Sequence, residues 1–197
     1  MPGYLDSCQS EFWRKVFEQE LDYLLESLKG CKDVLSVGCG PAIIERGLAE
    51  HGYNVTGLDV SEEALNGAPD SIRTVVGSAE HMDFSDSSFD AAIYVASLQF
   101  IDNYERAVRE TARVLRPNSR IVIMLLNSKS EHFKRWTQDP DSYMSKIRHT
   151  DLSGIVETMA KYFSVKTEYY LGIEGERIFP SQDPTLASLY IIQGTKK

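Results

Sequence analysis

The stretch Val34-Leu35-Ser36-Val37-Gly38-Cys39-Gly40-Pro41-Ala42 limits the folds open to this chain more than any other. An apolar run ends in two glycines one residue apart. A proline follows, and Ile43 to Glu50 then carries helical spacing. The pattern predicts a strand, a tight turn and a helix. Pro41 suits a first helical position, where its missing N–H costs nothing and its φ is preset. The glycines let the backbone turn sharply and approach a ligand closely. Such a turn sets the free N–H groups of a helix start beside the carboxyl end of a strand, where open α/β sheets bind ligands. The next strand pattern, Tyr53 to Leu58, ends in Asp59. An acid about 20 residues beyond a glycine loop is placed to hydrogen-bond a ribose diol. Loop and acid together point to a nucleoside-type cofactor held by Gly38, Cys39, Gly40 and Asp59.

A dinucleotide loop usually has a third glycine three residues after the second, and here that place is Ile43. The loop instead resembles the D/E-x-G-x-G-x-G motif of class I S-adenosylmethionine (SAM) methyltransferases, with Ser36 in place of the usual acid and Ala42 in place of the third glycine. Gly77 to Asp90 resembles the same family's "GDAExLPFxDxSFD" segment, and Arg113 to Arg120 its "RVLKPGG" turn. The resemblance covers about Asp33 to Leu126 and is of the UbiE-like small-molecule type. It implies an α/β fold, a doubly wound, Rossmann-like sheet of seven strands. That sheet would be mostly parallel, with one antiparallel C-terminal strand and helices on both faces. It also implies SAM as cofactor and S-adenosylhomocysteine (SAH) as product, with methyl transfer by in-line displacement to a small-molecule acceptor. Ser36 would stand where a carboxylate commonly helps hold the methionine amino group. Val60, Ser78, Ala79 and Glu80 would surround the adenine. The resemblance also leaves room for a SAM-binding module without catalysis, because Ser36, Ser78 and Gln99 depart together from the family pattern. A nicotinamide enzyme is disfavoured by Ile43 and by the Phe84–Asp90 segment.

The 197 residues suffice for one domain, with 1–30 as an N-terminal capping helix and 127–150 as a lid insertion. A formal charge of −8 argues against nucleic acid bound through the whole surface. No apolar run reaches the roughly 18 residues of a membrane span, and Met1 to Asp6 lacks a signal-peptide design. Three cysteines and four scattered histidines without ligand spacing predict reduced thiols, a cytoplasmic setting and no metal site. The sequence does not specify an oligomeric state.

Ser10 to Leu28 has helical spacing, with Tyr4 and Trp13 at its start. In the family, the segment before the first strand often closes over the cofactor, which makes these two aromatics pocket candidates. Phe89 to Val95 reads as the fourth strand, buried on both faces. The crevice of an open sheet lies where strand order reverses, between the first and fourth strands. Tyr94 is therefore expected at the cofactor, and Ser97 and Gln99 at the acceptor. Gln99 stands where related enzymes often have a histidine, and no residue stands out as a catalytic base. Trp136 lies in the long insertion that starts at the carboxyl end of the fifth strand, and Arg177 lies in the connection between the last two strands. Both are acceptor candidates. Arg113 and Arg116 read as structural.

Overall fold

The computed structural model describes residues 10–138 and 142–197. Tyr4, Met1 to Asp6 and Cys8 lie outside the described residues. The first element is helix α1 (Glu11–Ser27), started by Ser10, whose hydroxyl accepts from the Trp13 N–H at 3.3 Å. Its inward stripe is Val16, Glu20, Leu24 and Leu28. Strand β1 (Asp33–Val37) leads through the glycine loop to α2 (Ile43–Glu50) and β2 (Asn54–Asp59). A one-turn helix α3 (Glu62–Leu65), capped by Ser61, precedes β3 (Arg73–Val76) and β4 (Phe89–Val95). Helix α4 (Tyr104–Val114) then leads into β5 (Leu115–Leu126). The insertion holds α5 (Glu131–Trp136), and the chain closes with α6 (Leu152–Ala160), β6 (Phe163–Glu174), β7 (Arg177–Phe179) and β8 (Ala187–Lys196).

The strands form one sheet in the order β3-β2-β1-β4-β5-β8-β6-β7. The first five are parallel, and β8 runs antiparallel between β5 and β6. This is the doubly wound, mostly parallel sheet expected, with eight strands in place of seven. The extra strand arises because the chain reverses at Gly175 (φ +61) and lays Arg177–Phe179 back on β6. The Phe179 ring fills the space over Gly172, where a Cβ would meet it at 2.4 Å.

Strand alternation sorts the core into two layers. Leu35 and Val37 of β1 face α4 and α6, while Val34 faces α1 and α2. Each layer is mainly apolar, and burial of that surface is the main force holding the helices to the sheet. At the amino ends of β1 and β4, Arg116 binds Asp33, Asp90 and the Ser88 carbonyl. Arg113 binds Glu110, Asp86 and the carbonyls of Phe84 and Met82. Both arginines fasten the end of the sheet opposite the glycine loop, as structural residues would. No helix among the described residues is long and apolar enough to cross a membrane.

Candidate active site

The site is built where β1 and its neighbour β4 send the chain in opposite directions, at their carboxyl ends. The loop after β1 turns through Gly38 (φ 73), Gly40 (φ 51) and Ala42 (φ 57), all left-handed. Three such residues in five carry the chain back over the strand end. Helix α2 therefore begins at Ile43 with Ala42 before it, and Pro41 lies in the turn and not at the first helical position. An alanine held left-handed costs about 1 kcal/mol. A second one, Ala96 (φ 47), stands at the end of β4, so both lips of the crevice carry backbone strain.

The two glycines have different surroundings. A Cβ on Gly38 would meet Ser97 Cβ at 2.6 Å, and Ser97 is itself pinned by a 2.6 Å bond from its hydroxyl to the Val37 carbonyl. A Cβ on Gly40 would meet nothing within 4 Å. Gly38→Ala is thus expected to lower the melting temperature and disrupt the loop. Gly40→Ala is expected to cost only about 1 kcal/mol of fold while obstructing a ligand that lies on the loop. Thermal melts and ligand titration of the two variants check this.

Asp59 closes the site from β2. Its Oδ2 accepts from the Gly40 N–H at 2.8 Å and its Oδ1 from the Ser61 N–H at 2.9 Å. A carboxylate has about four acceptor sites, so each oxygen retains one for a diol. Val60 beside it is 72% exposed, an apolar face without a partner in the fold. Ser78 is exposed, Ala79 is buried, and the Ser78 hydroxyl accepts from the Glu80 N–H at 3.2 Å. Glu80 Oε1 accepts from the Asn103 N–H at 3.1 Å and so ties this loop to the start of α4. Cys39 packs against Gly57, and burial pushes its thiol well above the ordinary range, so it is a packing residue and not a reactive one.

Other sequence candidates sit differently. Tyr94 is fully buried among the residues facing α4, and its hydroxyl meets Thr111 Oγ1 at 2.6 Å. Alternation along β4 points it into the core beneath the crevice, so it is not at the cofactor. Tyr94→Phe should cost about 1 kcal/mol of stability and leave cofactor affinity unchanged, as denaturant melts and titration would report. Gln99 is also fully buried. Its amide donates to the Leu126 and His149 carbonyls and its oxygen accepts from the Leu126 N–H. It braces the end of β5 against the residues before α6, and its burial keeps it from an acceptor. Arg177 lies on β7, five strands from β1, or about 24 Å at ordinary strand spacing. There it covers the Phe179 ring at 5.2 Å, away from the crevice.

Trp13 and Trp136 are brought together. Their rings meet edge to face at 6.0 Å, which joins the start of α1 to the insertion helix α5. His132 meets Trp136 at 5.5 Å, and Phe12 and Phe17 flank Trp13. The sequence reading missed His132. It is nearly buried, its Nε2 has no hydrogen-bond partner among the described residues, and burial lowers its pKa to about 4, so the ring is neutral near pH 7. Among the described residues, no group of three His, Cys, Asp or Glu is arranged to hold a metal ion.

Residues 35–123 match the family model described as a methyltransferase domain. The chain is 32% identical over 116 residues to a demethylmenaquinone methyltransferase of Corynebacterium glutamicum, an alignment covering 58% of this chain and 48% of that protein. It is 28% identical over 123 residues to a sterol 4-C-methyltransferase of Caenorhabditis elegans, covering 57% and 37%. A crystal structure from Thermotoga maritima, described as a SAM-dependent methyltransferase, superimposes with a TM-score of 0.77 over 93% of this chain and 90% of that one, at 21% identity. Residues 35–123 thus carry the sequence pattern of a methyltransferase domain, and the sheet is the one seen in the Thermotoga maritima structure. The chain spans between about a third and a half of the length of these curated relatives.

Proposed function

We propose that the chain transfers the methyl group of SAM to a small, apolar, ring-bearing acceptor. The observation that carries this reading is the Asp59 carboxylate. It is tied to the Gly40 N–H at 2.8 Å and stands beside open space over the glycine loop, at the switch point of the sheet. The residues fit the group. Asp59 offers acceptors to the ribose, Val60 an apolar face to the adenine, and Gly38 and Gly40 a close approach to the methionyl end. Cys39, Ser78 and Glu80 complete the wall, with Ser36 and Ala79 buried behind it. Bound SAM supplies an activated sulfonium methyl group. The chain's own part is to hold the reactants in line and exclude water.

Trp13 and Trp136 favour a flat apolar acceptor, in keeping with the quinone and sterol named for the two relatives. The insertion 127–150 and α1 act together as the cover, joined by the Trp13–Trp136 contact. We place the reaction in the cytoplasm, with no nucleic-acid partner.

Titration with SAM, SAH and NADH in parallel tests the cofactor. Micromolar binding of SAM and SAH with none of NADH is expected, and binding of NADH alone overturns the reading. Mass spectrometry of an acceptor panel incubated with methyl-deuterated SAM then tests transfer. SAM binding with no labelled product across quinols, sterols and phenols would favour a binding module.

A further inference from the structure

Two buried carboxyl groups, one on α2 and one on α1, lie behind the glycine loop. Glu45 stands in the first turn of α2, only 2% exposed, and its Oε1 accepts from the Ser36 hydroxyl at 2.5 Å. Glu20 lies on the inward stripe of α1, 5% exposed. Each has an oxygen, Oε2, that is buried and has no hydrogen-bond partner among the described residues. An ionised carboxylate left so is costly. Among the described residues, the groups that act on the pair supply no positive charge. Asp59 faces Glu45 from β2, Cys39 from the loop and Ser36 from β1, while Tyr170 of β6 feels the charge of Glu20. Arg46, next on α2, turns outward to Glu50 at 4.0 Å.

We propose that the Glu20–Glu45 pair is the counter-charge for the methionine end of the cofactor and distinguishes cationic SAM from neutral SAH. The inference rests on the SAM reading above. Strand β1 carries no acid at Ser36, and the Ser36 hydroxyl instead engages a carboxylate delivered by α2. The charge of Glu45 is felt inside the loop, at Cys39, as is that of Asp59. A cation seated on the loop lies in the same field, and in a low-dielectric interior such a charge acts strongly without contact. In the empty site burial holds Glu20 protonated, with a pKa of about 8, and Glu45 near 7. SAM carries one more positive charge than SAH. Its arrival therefore ionises the pair, and one proton passes to solvent. After methyl transfer the sulfonium charge is gone, the pair takes a proton back, and the product is held less tightly.

The test is calorimetric titration of the full chain with SAM and with SAH near neutral pH, in phosphate and in Tris, whose ionisation enthalpies differ. Wild type is compared with Glu45→Gln and Glu20→Gln, which keep the side-chain shape. SAM should release up to one proton per site and SAH markedly less. SAM affinity should rise on the order of tenfold between about pH 6 and pH 8 while that of SAH stays nearly flat. In Glu45→Gln the proton release should fall markedly and the preference for SAM over SAH should fall by about tenfold. Equal proton release by the two ligands, or an unchanged preference in a folded Glu45→Gln, overturns this inference and leaves the methyltransferase reading standing. Binding of neither ligand to folded wild type overturns both.

Discussion

Asp59→Ala is expected to abolish measurable SAM binding at concentrations that saturate the wild-type protein, while the chain stays folded. The carboxylate does two things at once. It offers a free acceptor site on each oxygen to the ribose diol, and it fixes the Gly40 and Ser61 N–H groups at 2.8 and 2.9 Å. Hydrogen bonds to a charged group contribute about 1.5–3 kcal/mol each. Two lost diol bonds alone therefore weaken binding on the order of a hundredfold or more, and loosening of Gly40 adds to that. Asp59→Asn should recover little, because an amide has one acceptor oxygen and its NH2 would confront a backbone N–H. The fold loses less, about 1–2 kcal/mol for the two backbone partners. Calorimetric titration of both variants decides the matter. SAM affinity within tenfold of wild type in Asp59→Ala would remove the residue from the site.

That prediction was legible in the sequence because strand, glycine turn, helix and acid are all local. So were the caps at Ser10 and Ser61, and the left-handed turn at Asn118 (φ 60) that replaces a family glycine. What was lost depends on register and depth. Strand β4 is apolar on both faces, so its pattern carries no alternation to show that Tyr94 points away from the crevice. Gln99 looked free until its three hydrogen bonds to backbone were visible. Arg177 looked close because its connection leaves β6, but β8 inserts beside β5 and pushes that hairpin to the far edge. Strand β7, three residues long, has no periodicity to read. Glu20 did leave a trace: it falls four residues from both Val16 and Leu24, on the stripe that faces the core. Its neighbour Glu45 reads as an ordinary acid in a first helical turn, and only packing of α1 on α2 makes them a pair.

The same pair sets the pH dependence of stability in the ligand-free chain. Burial, with the charge of Glu45 added, raises the Glu20 carboxyl from 4.5 to about 8. Its folded pKa lies above its unfolded one. Between those two values the unfolded chain has released the proton and the native chain still holds it, so stability falls as pH rises through the window. Each pH unit there costs about 1.4 kcal/mol. His132 acts in the opposite sense. Its pKa falls from 6.5 to about 4, so its contribution is lost as pH drops through that range and partly cancels the Glu20 slope below 6.5. Above 6.5 the histidine is neutral in both states; Glu20 and Glu45 both lower stability up to about pH 7, and Glu20 alone from there to about pH 8. Wild type should therefore melt markedly lower at pH 8 than at pH 6.5. Glu20→Gln keeps the shape, cannot ionise, and should be more stable than wild type at pH 8 by about 2–4 kcal/mol, with a flatter profile between the two. Denaturant melts at both pH values measure this. A Glu20→Gln protein that declines as steeply as wild type would show that the carboxyl reaches a counter-charge or solvent in the folded state, and the buried pair would not be the origin of the slope.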